Sequence, residues 1–300
     1  MQIKNNHSNY LQKPWIIGLV KMFLLVGCLF FLLTKLQDQS ISFDETKIPE
    51  GIELTLTLVF GLMLINWFLE SLRWKISIEI FETISIIDAW KAVLGGLALN
   101  WVLPLTSGDL LTRISQQQDK YQATSAVVLN RGIMLTFTLL LGVYGINCLA
   151  VEYDWNWWMV MVIPIILSVG FLFRKSFIRF TTYFIQMQRK VLIQIIGLSF
   201  LRYTVFVLQF FLLLKLFLPA LSANLLIAGI GWIFLIRSIL PLFLGGLGIR
   251  EASGILFFQP YVSELQLAII PIFLIWIINT VIPSFIGLIF LWRFKPSLAG

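Results

Sequence analysis

Histidine is almost missing from this chain: there is one, His7, in a polar N-terminal tail. A histidine-based metal site and a nucleophile–histidine pair are excluded with it. Charge is scarce as well. Only 12% of the 300 residues are Asp, Glu, Lys or Arg, where a soluble domain carries about a quarter. Cysteine occurs twice, as Cys28 and Cys148, both in apolar runs without metal-ligand spacing. These read as buried free thiols. What the chain has instead is apolar surface: 59% hydrophobic residues and a mean hydropathy of +0.90. Too few polar groups remain to cover a water-facing surface, so the solvent is lipid.

The net charge of +7 does not point to nucleic acid. The basic residues stand beside apolar runs rather than on one face of a polar domain, which is the positive-inside pattern of a membrane protein. The first apolar run, about 15–33, lacks a small-residue cleavage site and reads as a retained helix. Lys4 and Lys13 precede it and Asp38, Asp44, Glu45 and Glu50 follow, so the N-terminus is expected in the cytoplasm. Further spans are expected at about 52–69, 132–150, 157–173, 191–218 and 265–291. Arg73 and Lys75, the basic residues between 174 and 190, and Arg293 and Lys295 mark cytoplasmic ends, including the C-terminal one.

Two other apolar segments are broken. One, at about 89–111, contains Gly95, Gly96, Pro104 and Gly108; the other, at about 225–261, contains Pro241, Gly245, Gly246 and Gly248. Basic residues flank the first on both sides, which predicts a re-entrant hairpin that enters and leaves from the cytoplasm. The last span, which ends inside, predicts that the second hairpin enters from the outside. The expected fold is an all-α polytopic membrane protein with six full spans and two re-entrant segments. Eight full crossings are the alternative, since the second segment has about 16 residues before Pro241, nearly enough to cross. That alternative puts the loop between Arg113 and Lys120 outside, against the charge rule.

The pattern span, span, hairpin, span is thus written twice, in units 14–150 and 156–292, within one membrane domain. Three crossings per unit make the second unit upside down. The phrases LPLTSGDLLTR, from Leu103, and LPLFLGGLGIR, from Leu240, stand 137 residues apart. Matching Pro, Gly and Arg positions in two halves are the pattern of inverted-repeat transporters. Asn100 corresponds to Arg237, and Asp109 to Gly246.

A helix interrupted by Pro and Gly exposes backbone polar groups, tolerated at membrane depth only where protein or water satisfies them. Half-helix N-termini attract anions. Arg113 and Arg250 follow the two breaks at equal distance, and Arg202 and Arg237 lie inside apolar runs. Intramembrane arginine is expensive and seldom idle. Together these residues predict a cationic cavity for an anionic group, foremost a lipid phosphate, which the guanidinium fork suits. Arg131 also has a snorkelling reading, Arg250–Glu251 that of a structural ion pair, and Asp109 that of a helix cap. Arg73 and Lys75 read as topology determinants, and Glu70 as a weak candidate for a proton relay. GGLG lacks the strand and the Lys-Ser/Thr of a nucleotide loop, and no cofactor or metal is expected.

The stretches ALNWVLPLTSGDLLTR, LNRGIML, LPLFLGGLGIREAS and SLRW resemble the lysylphosphatidylglycerol synthase transmembrane, flippase-like, family over nearly the whole chain. The resemblance rests on Asn100, Pro104, Gly108, Asp109, Arg113 and Arg131, and more specifically on Pro241, Gly245, Gly246, Gly248, Arg250, Glu251 and Ala252. Asp109 stands where Glu is more usual. The resemblance implies a multi-pass inner-membrane protein, not an enzyme, that translocates or exposes a lipid between leaflets. Larger members carry a soluble aminoacyl-transferase domain; the sequence shows none, so lysyl transfer is not expected. A scaffold subunit for a lipid-modifying or glycosyl-transfer enzyme is the second expectation.

Overall fold

The structure is a computed structural model that describes residues 49–101, 103, 107–152, 187–240 and 246–292, and positions 26, 27, 30 and 34. Among these residues the secondary structure is helical and no strand occurs. In chain order the helices are α1 (Ile52–Ile78), α2 (Ile86–Leu99), α3 (Ser107–Ser115), α4 (Lys120–Glu152), α5 (Arg189–Phe217), α6 (Ala223–Ile239), α7 (Ile249–Phe258), α8 (Gln266–Trp276) and α9 (Ile282–Trp292). A π-helical turn, Ile277–Val281, joins α8 to α9.

Four helices among the described residues are long and apolar enough to cross a membrane: α1, α4, α5 and the composite Gln266–Leu291. These features fit a membrane protein. The expected span at 157–173 and, apart from positions 26, 27 and 30, that at 15–33 lie outside the described residues, as do Cys28, Pro104, Pro241 and Gly245. Each broken segment contains two short helices, α2 with α3 and α6 with α7, and each pair packs together. None of the four reaches the roughly 20 residues that a crossing needs.

Local chemistry sets these boundaries. Ser85 precedes α2 with extended backbone and accepts a hydrogen bond from the Asp88 N–H. Ser222 precedes α6 with the same backbone and accepts from the Leu225 N–H. Both are serine N-caps that satisfy an otherwise orphan donor. They stand 137 positions apart, the same interval as Leu103 and Leu240. The Asp119 carboxylate accepts from the N–H groups of Tyr121 and Gln122 at 3.0 Å each, so α4 starts well before the expected span at 132. The π turn has a cause in Pro283: its nitrogen cannot donate to the Asn279 carbonyl, and the ladder resets by one residue. The Ile282 N–H bonds instead to the Ile277 carbonyl.

Helix packing is reciprocal between the halves. The most extensive interfaces join α1 to α5, α4 to α6, and α9 to α2. Glycines bring α4 and α6, and α9 and α2, into backbone contact. A Cβ at Gly145 would lie 2.5 Å from the Ala228 carbonyl oxygen. One at Gly231 would strike the Leu141 carbonyl, and one at Gly287 the Leu94 carbonyl. In lipid, where apolar burial gives helices little reason to associate, close approach through small residues supplies the packing. A large apolar cluster around Phe210, Phe234, Phe257, Phe258 and Ile272 fills one part of the bundle. A smaller one around Trp74, Ile78, Ala123 and Ala126 fills another.

Candidate functional site

Charged residues from five helices of this apolar frame meet at one cavity of about 440 Å³. Its wall contains Glu70 and Arg73 from α1, Asn100 just after α2, Asp109 and Arg113 from α3, and Arg131 from α4. Arg202 comes from α5, Arg237 and Ser238 from the end of α6, and Gly246 from the turn before α7. Trp67, Val93, Leu97, Met134 and Leu135 supply an apolar side.

The first hairpin is held closed by its glycines. A Cβ at Gly96 would lie 2.6 Å from the Asp109 Cα, and one at Gly108 would lie 2.7 Å from the Asn100 nitrogen. With no side chains there, α2 and α3 touch along their backbones. The Asn100 side-chain oxygen then reaches the Asp109 N–H at 3.2 Å, so Asn100 closes the start of α3. Asp109 therefore does not serve as the helix cap. Its carboxylate accepts from Arg113 Nε at 2.5 Å and from Arg131 at 3.1 Å.

Glu70 is the hub of the cavity. It pairs with Arg73 at 2.5 Å, Arg113 at 2.6 Å and Arg202 at 3.3 Å. Glu70, Arg73 and Arg113 are each buried, so these pairs replace water as well as cancel charge. Arg73 also donates to the Ser199 hydroxyl and to the Asn130 carbonyl, tying α1 to α4 and α5. The Arg113 guanidinium lies 5.3 Å from the centre of the Trp74 ring, and that of Arg202 lies 5.7 Å from the Trp67 ring. Both distances fall in the range of cation–π attraction.

Arg237 differs from the other four. Among the described residues no carboxylate forms an ion pair with it. Its side chain runs over Gly246, where a Cβ would stand 3.3 Å from the Arg237 Cγ. Gly246 and Gly248 have φ of 87° and 85°, a region that side chains other than glycine's rarely enter. The turn into α7 needs both of them, and Gly246 in addition leaves room for Arg237.

Of the residues expected at the site, Asn100, Asp109, Arg113, Arg131, Arg237 and Gly246 line this cavity. Both pairs related by the 137-residue interval, Asn100 with Arg237 and Asp109 with Gly246, are among them. Arg131 lies about three turns into α4, and its side chain is 39% exposed. Gly108 and Gly248 serve backbone geometry. Arg250 and Glu251 are buried on α7 and do not line the cavity. Glu251 accepts from the Gly248 N–H at 2.7 Å, which occupies the N-terminus of that helix. The half-helix ends that looked open to an anion are thus filled by the protein's own Asn100 and Glu251, and guanidinium groups carry the positive character of the site. Glu70 and Arg73 stand at the centre of the cavity rather than at a span end alone. Their i, i+3 spacing inside an apolar helix, which puts both on one face, was the available signal.

Comparison of the chain with models of protein families, with curated proteins and with solved structures gives no match to any of them. Among the described residues no group of His, Cys, Asp and Glu is arranged to hold a metal ion.

Proposed function

We propose that this protein is a flippase-like membrane protein, related to the lysylphosphatidylglycerol synthase transmembrane family, that moves or exposes an anionic phospholipid between the leaflets of the cell membrane. The observation that carries this reading is the cavity itself. Five arginines and two carboxylates surround one space that also has an apolar wall. Such a mixture suits an amphiphile, whose phosphate pairs with guanidinium while its chains follow the tryptophan, leucine and methionine side.

In this reading the fold has six spans and two re-entrant hairpins, with both termini in the cytoplasm. Units 14–150 and 156–292 form inverted repeats. The matched serine caps before α2 and α6 and the exchanged packing of α4 on α6 and α9 on α2 support the repeat. The two hairpins supply paired positions to one cavity, as in transporters where alternating access is the rocking of one repeat against the other. Charged residues from the C-terminal part of α1 and the N-terminal part of α4 then set the cavity toward the cytoplasmic side. Across the bundle, the phenylalanine cluster of α5, α6 and α7 closes the opposite route.

The test is lipid exposure in reconstituted vesicles, followed by quenching of a fluorescent phospholipid from outside. The wild-type protein should make inner-leaflet lipid accessible, and Arg237→Ala should remove most of that activity. Unchanged exposure in Arg237→Ala and Arg113→Ala sinks the translocation reading. Activity that appears only with a partner enzyme would favour a scaffold role instead.

A further inference from the structure

The charges around the cavity do not balance. Among the described lining residues, arginines 73, 113, 131, 202 and 237 stand against two carboxylates, Glu70 and Asp109, a surplus of three positive charges. Glu70 is shared by three guanidiniums and Asp109 by two. Arg131 is 39% exposed and is screened by water, so it is set aside. The other four arginines against two carboxylates keep a surplus of two, and Arg237 carries the share that no described carboxylate meets. The acidic residues outside the described segments are Asp38, Asp44, Glu45 and Asp154, and the expected topology puts them on the opposite side of the membrane.

A surplus of this size, set against an apolar wall, selects its ligand by charge. In a medium of low effective dielectric, uncompensated like charges repel strongly, and a ligand is favoured in proportion to the charge it neutralises. A phosphodiester brings one negative charge. A terminal phosphomonoester brings about 1.5 to 2 at neutral pH, with three acceptor oxygens. From this we infer that the cavity takes a multiply charged phosphate headgroup, a phosphomonoester or diphosphate, in preference to a phosphodiester. The inference rests on the lipid-translocation reading for the source of that phosphate. Arg237 and Arg202 approach the phosphate from the second half of the chain and Arg113 from the first. Gly246 matters because its missing side chain lets the Arg237 stem lie flat against the turn.

Binding to the purified full-length protein in micelles tests this with three probes: dioctanoyl phosphatidic acid, dioctanoyl phosphatidylglycerol and inorganic pyrophosphate. Phosphatidic acid should bind at least roughly tenfold tighter than phosphatidylglycerol, the step expected from one added charge-assisted hydrogen bond. Arg237→Gln should bring that ratio close to one. Where Arg237→Gln fails to fold, Arg237→Lys replaces it: the charge is kept and the fork lost, so both lipids should weaken while the ratio persists. Equal affinity of the wild type for the two lipids, or a ratio unchanged by Arg237→Gln, overturns the inference and leaves lipid translocation standing. Pyrophosphate binding as tightly as phosphatidic acid assigns the site to a soluble phosphate and overturns both. A clear preference for phosphatidic acid without any lipid exposure in vesicles keeps the charge inference and removes the translocation reading alone.

Discussion

Glu70 is the residue on which the buried charge depends. One carboxylate serves Arg73, Arg113 and Arg202, and all three helices that present those arginines lean on it. Removing one partner of a buried ion pair leaves uncompensated charge and costs about 3–5 kcal/mol. Glu70→Gln should lower the unfolding midpoint of the detergent-solubilised protein accordingly. Arg237→Gln should not, since it breaks no described ion pair. A Glu70→Gln midpoint equal to wild type would mean that the cluster is solvated rather than buried. The pair Glu70–Arg73 also marks what residue-level reading of the sequence missed. Arginine beside a span end reads as a topology signal, and Arg73 fits that rule. What the rule cannot contain is its hydrogen bond to Ser199, 126 positions away, because distant pairing leaves no local trace.

At the scale of elements, the broken segments were legible. Pro and Gly clusters marked two interrupted helices, and α2–α3 and α6–α7 occupy those stretches. The start of α4 was not legible: its first turns, KYQATSA, look like a polar loop. They are helical because Ala123 and Ala126 present a small-residue face to Trp74, a fit that only the packed partner reveals. The glycines of the first hairpin interrupt the apolar run, and their larger service is contact. Gly108→Ala should therefore force α3 away from α2. Overpacking of this kind costs about 1–3 kcal/mol, and lipid exposure should fall with it, because Asn100 and Asp109 move with the hairpin. The check is exposure measured at a temperature where the variant remains folded. Gly246→Ala adds a further 1–3 kcal/mol or so of backbone strain at φ 87° and should weaken anion binding more than it lowers stability.

At the scale of the molecule, the topology has a direct test. Gln118 is exposed in the turn between α3 and α4. In a background with both native cysteines replaced, Gln118→Cys should react with a membrane-impermeant thiol reagent only after the membrane is opened. Labelling from outside would exclude the six-span arrangement in favour of eight crossings. What could be read in advance at this scale is the membrane class: the helical character and the long apolar helices were written in composition and hydropathy. The exchange of partners between halves could not be read. Hydropathy gives each helix its length and its apolar character but says nothing of which other helix it will touch.

That exchange governs the order in which the protein can be made. The helix that α2 leans on is α9, the last described element of the chain. About 190 residues separate them, roughly 10 to 40 seconds of synthesis at ordinary translation speeds. Throughout that interval the first hairpin exists with its permanent neighbour unmade, and Glu70 waits for Arg202. A nascent chain stalled before Ile282 should accordingly be an early target for membrane proteases, and one released after Trp292 should escape them.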